Sequence, residues 1–395
     1  MNYNKRICVV GLGYIGLPTA AILANKGFEV IGYDINEKVV EKINKGKVHI
    51  SEPDLDAFVK AAVFSGKLKA YTNPCRADIF MICVPTPLTE NKEPDLKCIF
   101  KAAEDISPYL KKNDLIILES TVPVGTTEKF AELIFKLRKD LINKIYISYA
   151  PERVLPGQII RELIENDRII GGIDEPSTNK NKNFYENFVK GKVLTTDCRT
   201  AEFTKLVENA YRDINIAFAN ELSIICDKLK INVKELITLA NHHPRVNILS
   251  PGIGVGGHCI AIDPYFIVYM DKKDSKLIKT ARKINNYKTI WVIKKIEEVI
   301  KNFIKNYNRK PIIGCLGVTY KPDVDDIRES PALKIIEKLT KKYEVVYYDP
   351  YVQNLKHVKF WNFEKILKNT DIIIKLVAHS FFEKINSDKI LIDFT

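Results

Sequence analysis

A strand that runs directly into three spaced glycines constrains the fold of this chain more than any other feature. Residues 6–10 form a mainly apolar run, and Gly11, Gly13 and Gly16 follow it within one short turn. Residues 17–26 then carry apolar side chains at helical spacing. An apolar strand, a glycine turn and a helix predict the start of a β-α-β unit, and such units build a parallel sheet with helices on both faces.

The same turn predicts a dinucleotide site. Residues 29–33 form a second apolar run that ends in Asp34. Glycines in this arrangement let the backbone approach a pyrophosphate at the helix N-terminus, and the acid accepts hydrogen bonds from ribose hydroxyls. Because Asp34 would repel a 2′-phosphate, NAD is predicted rather than NADP, and a glycine turn without a ligand is the alternative. The predicted NAD-binding residues are those of the turn and of later strand ends, namely Gly11, Gly13, Tyr14, Ile15, Gly16, Asp34, Pro85, Thr86 and Thr121.

The rest of the chain predicts a second sheet beyond a helical middle. A helical pattern without proline or glycine spans residues 200–230 and reads as a connector and a dimer surface. From Pro311 the opening pattern partly returns, without the glycine fingerprint, and its second strand closes on Asp349. We therefore expect an α/β fold with two Rossmann-like, doubly wound parallel-sheet domains, joined by a long central helix and a helical middle domain. The predicted domains are 1–199, 200–305 and 306–395; further strands are predicted at 79–84, 115–119, 145–148, 312–318, 344–348, 372–377 and 390–393, with a helix at 330–342.

Composition excludes several classes of protein. A chain of 395 residues exceeds what one core usually supports. The net charge of +12 is spread along helices among acidic residues, which argues against a nucleic-acid-binding protein. No apolar run approaches the roughly 20 residues of a membrane span. The N-terminus enters a strand without a signal-peptide layout, so a cytoplasmic location is expected.

The cysteines and histidines do not predict a metal. The eight cysteines include no CxxC pair, which argues against a zinc ribbon and against a disulfide framework. His242 and His243 have no carboxylate or cysteine at ligand spacing, so no metal site is predicted. Most cysteines lie in apolar runs and are expected in the core.

Cys259 differs, because it follows the glycine-rich run Gly254–Gly257 and His258. Glycines allow a ligand or a second backbone segment to come close. Asp263 follows four residues later, one helical turn away, so it can face the same pocket. A buried thiol is the alternative interpretation.

Six motifs in order give the chain a family resemblance. They are GLGYIG from Gly11, ESTVPVGTT from Glu119, APERVLPG from Ala150, AEFTKLVENAYRDINIAFANEL from Ala201, GVGGHCIAIDPYF from Gly254 and YKPDVDDIRES from Tyr320. The sequence resembles the UDP-glucose/GDP-mannose dehydrogenase family, the UDP-sugar 6-dehydrogenases. The resemblance implies oxidation of a sugar C6 hydroxymethyl to a carboxylate with two NAD⁺ and no metal. It also implies a homodimer or higher homo-oligomer.

The resemblance assigns catalytic roles. The Cys259 thiolate would add to an aldehyde intermediate, and a second oxidation would give a thioester that water hydrolyses. Asp263 would assist proton movement, and Lys205 with Asn209, spaced i, i+4 on one helix, would stabilise the developing oxyanion. On spacing alone, a solvated lysine–asparagine pair is equally expected. Glu152 would act on the hydrolytic water, which Thr121 would help to hold, although an exposed Pro-Glu-Arg loop is the alternative.

The resemblance also assigns binding residues. Lys321 would contact the UDP-sugar, Arg328 would reach the cofactor on closure of the domains, and Arg245 would enter the partner subunit's site. The remaining predicted substrate-binding residues lie in the same motifs: Arg153, Val154, Leu155, Lys205, Asn209, Arg212, Gly256, Gly257, His258 and Tyr320.

Within the family, the run from His243 to Phe266 is most similar to members that oxidise UDP-N-acetyl-D-mannosamine for surface glycans. UDP-N-acetylglucosamine and UDP-glucose are the alternative substrates. A dehydrogenase of the 3-hydroxyacid or 6-phosphogluconate type would need no nucleophilic cysteine, and a non-catalytic nucleotide-sugar-binding protein would not need the Cys259, Lys205 and Glu152 set.

Overall fold

A computed structural model describes residues 5–382, 385 and 387–395 of the chain. The chain divides into two compact units, Met1–Val207 and Glu208–Thr395. The prediction of two Rossmann-like α/β domains with a helical middle is confirmed. The three-domain division at 199/200 and 305/306 stays a prediction.

The first unit is built on a sheet in which the described residues form eight strands in the order β3-β2-β1-β4-β5-β6-β7-β8. The strands are β1 Arg6–Val10, β2 Glu29–Tyr33, β3 Leu68–Tyr71, β4 Ile79–Ile82, β5 Leu115–Leu118, β6 Tyr146–Tyr149, β7 Arg168–Gly172 and β8 Val193–Asp197. The helices are α1 Gly16–Asn25, α2 Glu37–Asn44, α3 Leu55–Phe64, α4 Lys97–Ile106, α5 Thr126–Leu137, α6 Ile159–Glu165 and α7 Glu175–Tyr185, with 3-10 turns at Ser107–Tyr109 and Lys139–Leu141.

Strand β1 shows why these residues form a doubly covered sheet. Ile7 and Val9 pack into one apolar cluster with α1, while Cys8 and Val10 pack into a second cluster with α4 and α5. Successive side chains of a strand point to opposite faces, so an uninterrupted apolar run must be buried on both. Burying each such side chain contributes about 1.5–3 kcal/mol.

The far edge of this sheet departs from the expected parallel arrangement. Strands β1 to β6 pair in parallel, but β7 pairs with β6 in the antiparallel sense, and β8 then runs parallel to β7. Residues 150–167, which include the short helix α6, connect β6 to β7, and a connection of this length permits either direction of pairing. The six-strand order that remains, β3-β2-β1-β4-β5-β6, is that of dinucleotide-binding folds.

The long helix α8, Cys198–Leu229, crosses the unit boundary and confirms the helix predicted at 200–230. The second unit continues with α9 Val233–Asn241, α10 Asp263–Met270, α11 Lys276–Tyr307, α12 Pro331–Thr340 and α13 Phe363–Asn369, and has a 3-10 turn at Ser380–Phe382. Its strands are β9 Ile312–Leu316, β10 Glu344–Tyr348, β11 Lys359–Phe360, β12 Ile372–Lys375 and β13 Ile390–Asp393.

The second sheet is smaller and parallel throughout. Its described residues form five strands in the order β11-β10-β9-β12-β13. Ile372 and Ile374 of β12 face one apolar cluster and Ile373 faces another, so this sheet is also covered on both faces. Both sheets therefore place their central strand ends where open α/β folds bind ligands.

Candidate active site

The glycine turn of the first unit has the shape that a dinucleotide requires. Gly11 has a φ of 89°, a conformation that favours glycine, and a side chain there would lie 2.8 Å from the carbonyl oxygen of Cys83. A Cβ at Gly16 would lie 1.8 Å from the carbonyl oxygen of Gly11. At Gly13, by contrast, a Cβ would meet nothing within 4 Å. The turn is thus closely packed at Gly11 and Gly16 and open at Gly13, where a pyrophosphate can approach the start of α1.

Asp34, at the end of β2, is placed to bind a ribose. Its Oδ2 accepts a hydrogen bond from the Leu12 N–H at 3.0 Å, and its Oδ1 accepts one from the Asn36 N–H at 2.9 Å. The side chain is only half-buried, so acceptor capacity remains on the solvent side. Tyr14 and Ile15, also half-buried, complete the turn. These residues fit NAD.

The loops after β4 and β5, which the sequence predicted to follow strand ends, are in contact. The Thr86 hydroxyl donates to the Thr121 carbonyl at 2.7 Å, and the Ser120 hydroxyl donates to the Val84 carbonyl at 2.7 Å. Pro85 between them is exposed. Both loops therefore lie at the carboxyl edge of the sheet, the edge that also carries the glycine turn.

Glu152 is buried in an ion pair that the sequence reasoning missed. Its carboxylate is 6% exposed, its Oε2 lies 2.5 Å from a guanidinium nitrogen of Arg168, and its Oε1 accepts from the Arg153 N–H at 2.7 Å. Although burial disfavours the charge of Arg168, the Glu152 carboxylate raises the pKa of that guanidinium. The alternative of an exposed Pro-Glu-Arg loop is wrong for Glu152, because the side chain points into the protein.

A second carboxyl group lies beside this pair. Glu119 accepts hydrogen bonds from the Tyr185 hydroxyl and, at 3.2 Å, from the Cys83 thiol. Burial, and then the charge of Glu152, raise the pKa of Glu119 to about 7. Sequence reasoning did not find Glu119, Arg168 or Tyr185 as a group. The available signal was a charged residue opening an otherwise apolar strand, at Arg168.

In the second unit, Cys259 and Asp263 share one backbone turn. The Asp263 N–H donates to the Cys259 carbonyl at 2.8 Å, and Asp263 is the first residue of α10, with Pro264 after it. The amide of Asn209, on α8, donates to Asp263 Oδ2 at 2.6 Å. Asp263 is 3% exposed, whereas Cys259 is half-buried. The structure therefore places Asp263 on the same turn as Cys259, as the sequence predicted, and adds a contact with Asn209, which the sequence had predicted as a neighbour of Lys205.

The glycines before Cys259 pack against a second predicted binding segment. A Cβ at Gly256 would lie 2.7 Å from the Cβ of Tyr320, and one at Gly257 would lie 2.9 Å from the Tyr320 ring. Gly257, with a φ of 82°, also donates its N–H to the Arg328 carbonyl at 3.0 Å. Loop 254–259 and loop 319–328 are therefore in direct contact within this unit.

The other predicted residues are placed as follows. Arg328 pairs with Asp326 of its own loop at 2.6 Å, and the Lys321 carbonyl accepts from the Thr319 hydroxyl at 2.9 Å. Their assignments to cofactor and substrate stay predictions, as do those of the half-buried Lys205, Arg153, Val154 and His258 and of the exposed Leu155, Arg212 and Arg245.

Two features are absent from the part of the chain that the structure describes. In that part of the chain, no group of three or more His, Cys, Asp or Glu side chains is arranged to hold a metal ion. None of its helices has the length and apolar character needed to cross a membrane.

The glycine turn, the acid at the end of β2 and the six-strand order define the class: the protein has an NAD-binding domain of the Rossmann type. Three domain models of one family match the chain: its NAD-binding domain at residues 5–189, its central domain at 199–287 and its UDP-binding domain at 314–394. The chain belongs to the UDP-glucose/GDP-mannose dehydrogenase family. It is an NAD-dependent UDP-sugar dehydrogenase.

Individual proteins agree with this membership. The chain is 50% identical to the UDP-N-acetyl-D-mannosamine dehydrogenase of Campylobacter jejuni, over 99% of both chains. It is 48% identical to the NDP-N-acetyl-D-galactosaminuronic acid dehydrogenase of Ralstonia nicotianae, over 98% of this chain and 93% of that protein. A solved UDP-D-ManNAc dehydrogenase from Pyrococcus horikoshii has a TM-score of 0.91 and 41% identity, over 98% of this chain and 95% of that one.

Proposed function

We propose that this enzyme oxidises C6 of UDP-N-acetyl-D-mannosamine to the carboxylate, through intermediates bound to Cys259. The observation that carries the proposal is the group formed by Cys259, Asp263 and Asn209, because a half-buried thiol on the same backbone turn as a buried carboxylate suits covalent catalysis and not core packing. A dehydrogenase that performs a single oxidation has no use for this group.

Two oxidations at one carbon explain the need for a thiol. The first removes a hydride from C6 and a proton from its hydroxyl, which leaves an aldehyde. The Cys259 sulfur then forms a bond to the aldehyde carbon, and its oxygen takes a proton to give a thiohemiacetal, which again carries a hydride at C6. Loss of that hydride and of the hydroxyl proton gives a thioester. Water adds to the thioester carbon, the carbon–sulfur bond breaks, and the acid leaves while the thiol is restored.

The second unit supplies groups that organise these steps around Cys259. Asp263 is held by Asn209 at 2.6 Å, so its carboxylate has a fixed orientation relative to the thiol on the same turn. A carboxylate there can take up or return the protons that each step moves. Lys205, half-buried on the part of α8 that belongs to the first unit, is proposed to stabilise negative charge on the C6 oxygen.

The first unit supplies the groups proposed for hydrolysis. Arg168 fixes Glu152 at 2.5 Å, and the Arg153 N–H fixes its other oxygen at 2.7 Å. Glu152 retains a lone pair with which to accept a proton from water as the water attacks the thioester, and Thr121 is proposed to orient that water. NAD, held by the Gly11–Gly16 turn and Asp34, accepts a hydride in each oxidation when bound.

The choice of sugar rests on the relatives and on the run from His243 to Phe266. Relatives named for mannosamine and for galactosaminuronic acid are similarly identical to this chain, at 50% and 48%. The experiment is turnover of purified enzyme with NAD⁺ and the UDP forms of N-acetylmannosamine, N-acetylglucosamine, N-acetylgalactosamine and glucose. We expect two NADH per N-acetylmannosamine and the largest kcat/KM for that substrate. Turnover of only the other sugars would overturn the sugar assignment, and one NADH per sugar would overturn the thioester route.

We also propose that the enzyme acts as a homodimer or higher homo-oligomer. Helix α8 exposes large apolar side chains at Tyr211, Phe218, Ile225 and Leu229, between 45% and 68% exposed, at the spacing of one helix face. Arg245, exposed in this chain, is proposed to reach the partner's substrate site. If so, mixing inactive Arg245→Ala and Cys259→Ala subunits should restore part of the activity. A cytoplasmic location and a role in surface-glycan synthesis complete the proposal.

A further inference from the structure

The second unit contains a buried histidine that the proposed chemistry does not use. His379 follows β12 and is 1% exposed. Its Nδ1 lies 2.9 Å from the backbone nitrogen of Asp323, whose N–H can only donate. Nδ1 must therefore carry the lone pair, and a neutral ring carries its proton on Nε2.

The other ring nitrogen is anchored on a buried carboxylate. His379 Nε2 lies 3.0 Å from Asp349 Oδ2, and Asp349 is 0% exposed. The same oxygen accepts from the Val318 N–H at 2.8 Å, while Oδ1 accepts from the Tyr351 N–H at 2.8 Å. With Asp349 held on both oxygens, the imidazole has one orientation available, and its Nδ1 is directed at the 319–323 segment.

That segment is the one that carries Tyr320 and Lys321, and it is fixed at both of its ends. At the start, the Thr319 hydroxyl lies 3.2 Å from His379 Nε2 and donates to the Lys321 carbonyl at 2.9 Å. At the end, Asp323 is left-handed, with a φ of 57°. Such a conformation costs energy in a residue other than glycine and persists only where surrounding bonds hold it.

Asp323 is held by more than its N–H. Its Oδ1 accepts from the Ser380 N–H at 3.0 Å, from the Ser380 hydroxyl at 3.1 Å and from the Tyr351 hydroxyl at 3.3 Å. The cluster lies at the carboxyl ends of β9, β10 and β12, the edge at which open α/β sheets bind ligands. A buried imidazole there is stabilising only when both nitrogens are hydrogen-bonded, as they are.

We propose that His379 is a positioning residue for the UDP-sugar: it holds segment 319–323 in the conformation in which Tyr320 and Lys321 meet the nucleotide, without touching the nucleotide itself. The proposal rests on the proposed function of Lys321. The proposal goes beyond that function because it states that the conformation of the binding loop depends on a histidine 58 residues further along the chain.

Two substitutions separate the two bonds of the ring. In His379→Gln the side-chain amide can keep a donor near Asp349, but the acceptor for the Asp323 N–H is lost. In His379→Asn the side-chain oxygen can take the place of Nδ1 and keep that acceptor. The matched control is His357→Asn, since His357 is exposed in the same unit and has a φ of 78°, which asparagine tolerates.

The test uses the full-length protein with UDP alone, and then with UDP-sugar and NAD⁺. In His379→Gln we expect the Kd for UDP and the KM for the sugar to rise about tenfold, with kcat at saturation and the KM for NAD⁺ within about twofold. Amide hydrogen exchange in 320–323 should accelerate. His379→Asn should change the Kd for UDP less than about threefold, and His357→Asn should change none of these.

Other outcomes also decide the matter. A purely structural role would lower Tm equally in the Gln and Asn variants and leave the Kd for UDP unchanged, which overturns the proposal. So does unaltered exchange in 320–323 of His379→Gln. If that variant does not fold, Thr319→Val, which removes the hydroxyl that bridges Lys321 and His379, must raise the Kd for UDP in the same direction. Wild-type protein that fails to bind UDP would instead refute the proposed function. The exchange result would then still test whether His379 holds segment 319–323 in place.

Discussion

The β1-α1-β2 unit and the β9-α12-β10 unit begin from the same backbone frame. Gly11 follows β1 with a φ of 89°, and Gly317 follows β9 with a φ of 88°. The Gly11 N–H donates to the Tyr33 carbonyl at 2.8 Å, and the Gly317 N–H donates to the Tyr348 carbonyl at 2.9 Å. In both units the chain leaves the central strand by the same left-handed turn toward the neighbouring strand.

The acid at the end of the second strand shows where the two units diverge. Asp34 accepts from the Leu12 N–H at 3.0 Å, and Asp349 accepts from the Val318 N–H at 2.8 Å. Asp34, however, is half-buried with room for a ligand, whereas Asp349 is wholly buried beneath His379. The shared backbone geometry therefore does not determine whether the acid can bind a ribose. The burial of the acid by neighbouring side chains determines it.

The loop before the helix differs as well. In the first unit α1 begins at Gly16, directly after the glycine turn. In the second, residues 318–330 intervene before α12, and they include the predicted sugar-nucleotide residues Tyr320 and Lys321. In the first unit a pyrophosphate can reach the start of α1 directly. In the second unit a long loop, held by side chains, lies between the glycine turn and the start of α12.

The largest effect is expected from Cys259→Ala, which tests the assignment of covalent chemistry to the second unit. Acid formation should fall by at least about a thousandfold, because no other group can form the thioester. Binding of NAD⁺ and of UDP, measured by calorimetry, should be unchanged. Cys98→Ala is the control, since Cys98 is exposed in the first unit. Loss of both binding activities in Cys259→Ala would mean that the residue is structural.

Asp34→Ala tests the open acid of the first unit. Removing the ribose acceptor should raise the KM for NAD⁺ by roughly tenfold to a hundredfold, by the loss of charge-assisted hydrogen bonds. The Kd for UDP should not change. An equal weakening of UDP binding would contradict the proposal that the first unit binds NAD⁺ and the second unit binds the UDP-sugar.

Asp349→Asn tests the covered acid. The NH2 group of an amide at this position faces either the Val318 N–H and His379 or, when the amide is turned over, the Tyr351 N–H, so a buried donor is left unpaired at a cost of about 1–3 kcal/mol. Thermal unfolding should show the loss as a Tm lowered by several degrees. The KM for NAD⁺ should stay at the wild-type value; a rise would show that this acid contacts the cofactor after all.

The smallest effect is a pH dependence of stability that arises from Glu119 in the first unit. Glu119 has its pKa raised from 4.5 to about 7 in the folded protein, so the folded state holds this proton more tightly than the unfolded chain. Its contribution to stability is therefore full below about pH 4.5 and is lost as the pH rises through about 7. Compared with wild type, Glu119→Gln should show a smaller fall in Tm between pH 5.5 and pH 8. The exposed Glu132→Gln should behave as wild type.

The sequence predicted the central strands because their apolar runs are buried on both faces and end at glycine or aspartate. Strands β3, β7, β8 and β11 were not predicted. Of these, β8, Val193–Asp197, is largely exposed and threonine-rich, and β11, Lys359–Phe360, has only two residues. The antiparallel direction of β7 is set when the strand pairs with β6 in the assembled sheet, and no local sequence pattern encodes it.

The candidate site was predictable where its residues are close in sequence. The glycine turn, Asp34 and the Cys259–Asp263 pair follow from local spacing, and the family resemblance added Glu152 and Lys205. The contacts of Glu119 with Tyr185 and of His379 with Asp323 join residues 66 and 56 positions apart, and they depend on how strands are ordered in the sheet. Spacing along the chain contains no information about such contacts.

The packing of Gly256 and Gly257 on the Tyr320 ring has a consequence for redesign. A protein engineer who rebuilds the nucleotide-recognition loop to accept another base would displace the surface on which the sulfur-bearing loop rests. Under the proposed function, the loop that recognises the nucleotide also supports the loop that carries Cys259, so variants designed to change specificity should keep the aromatic ring at position 320.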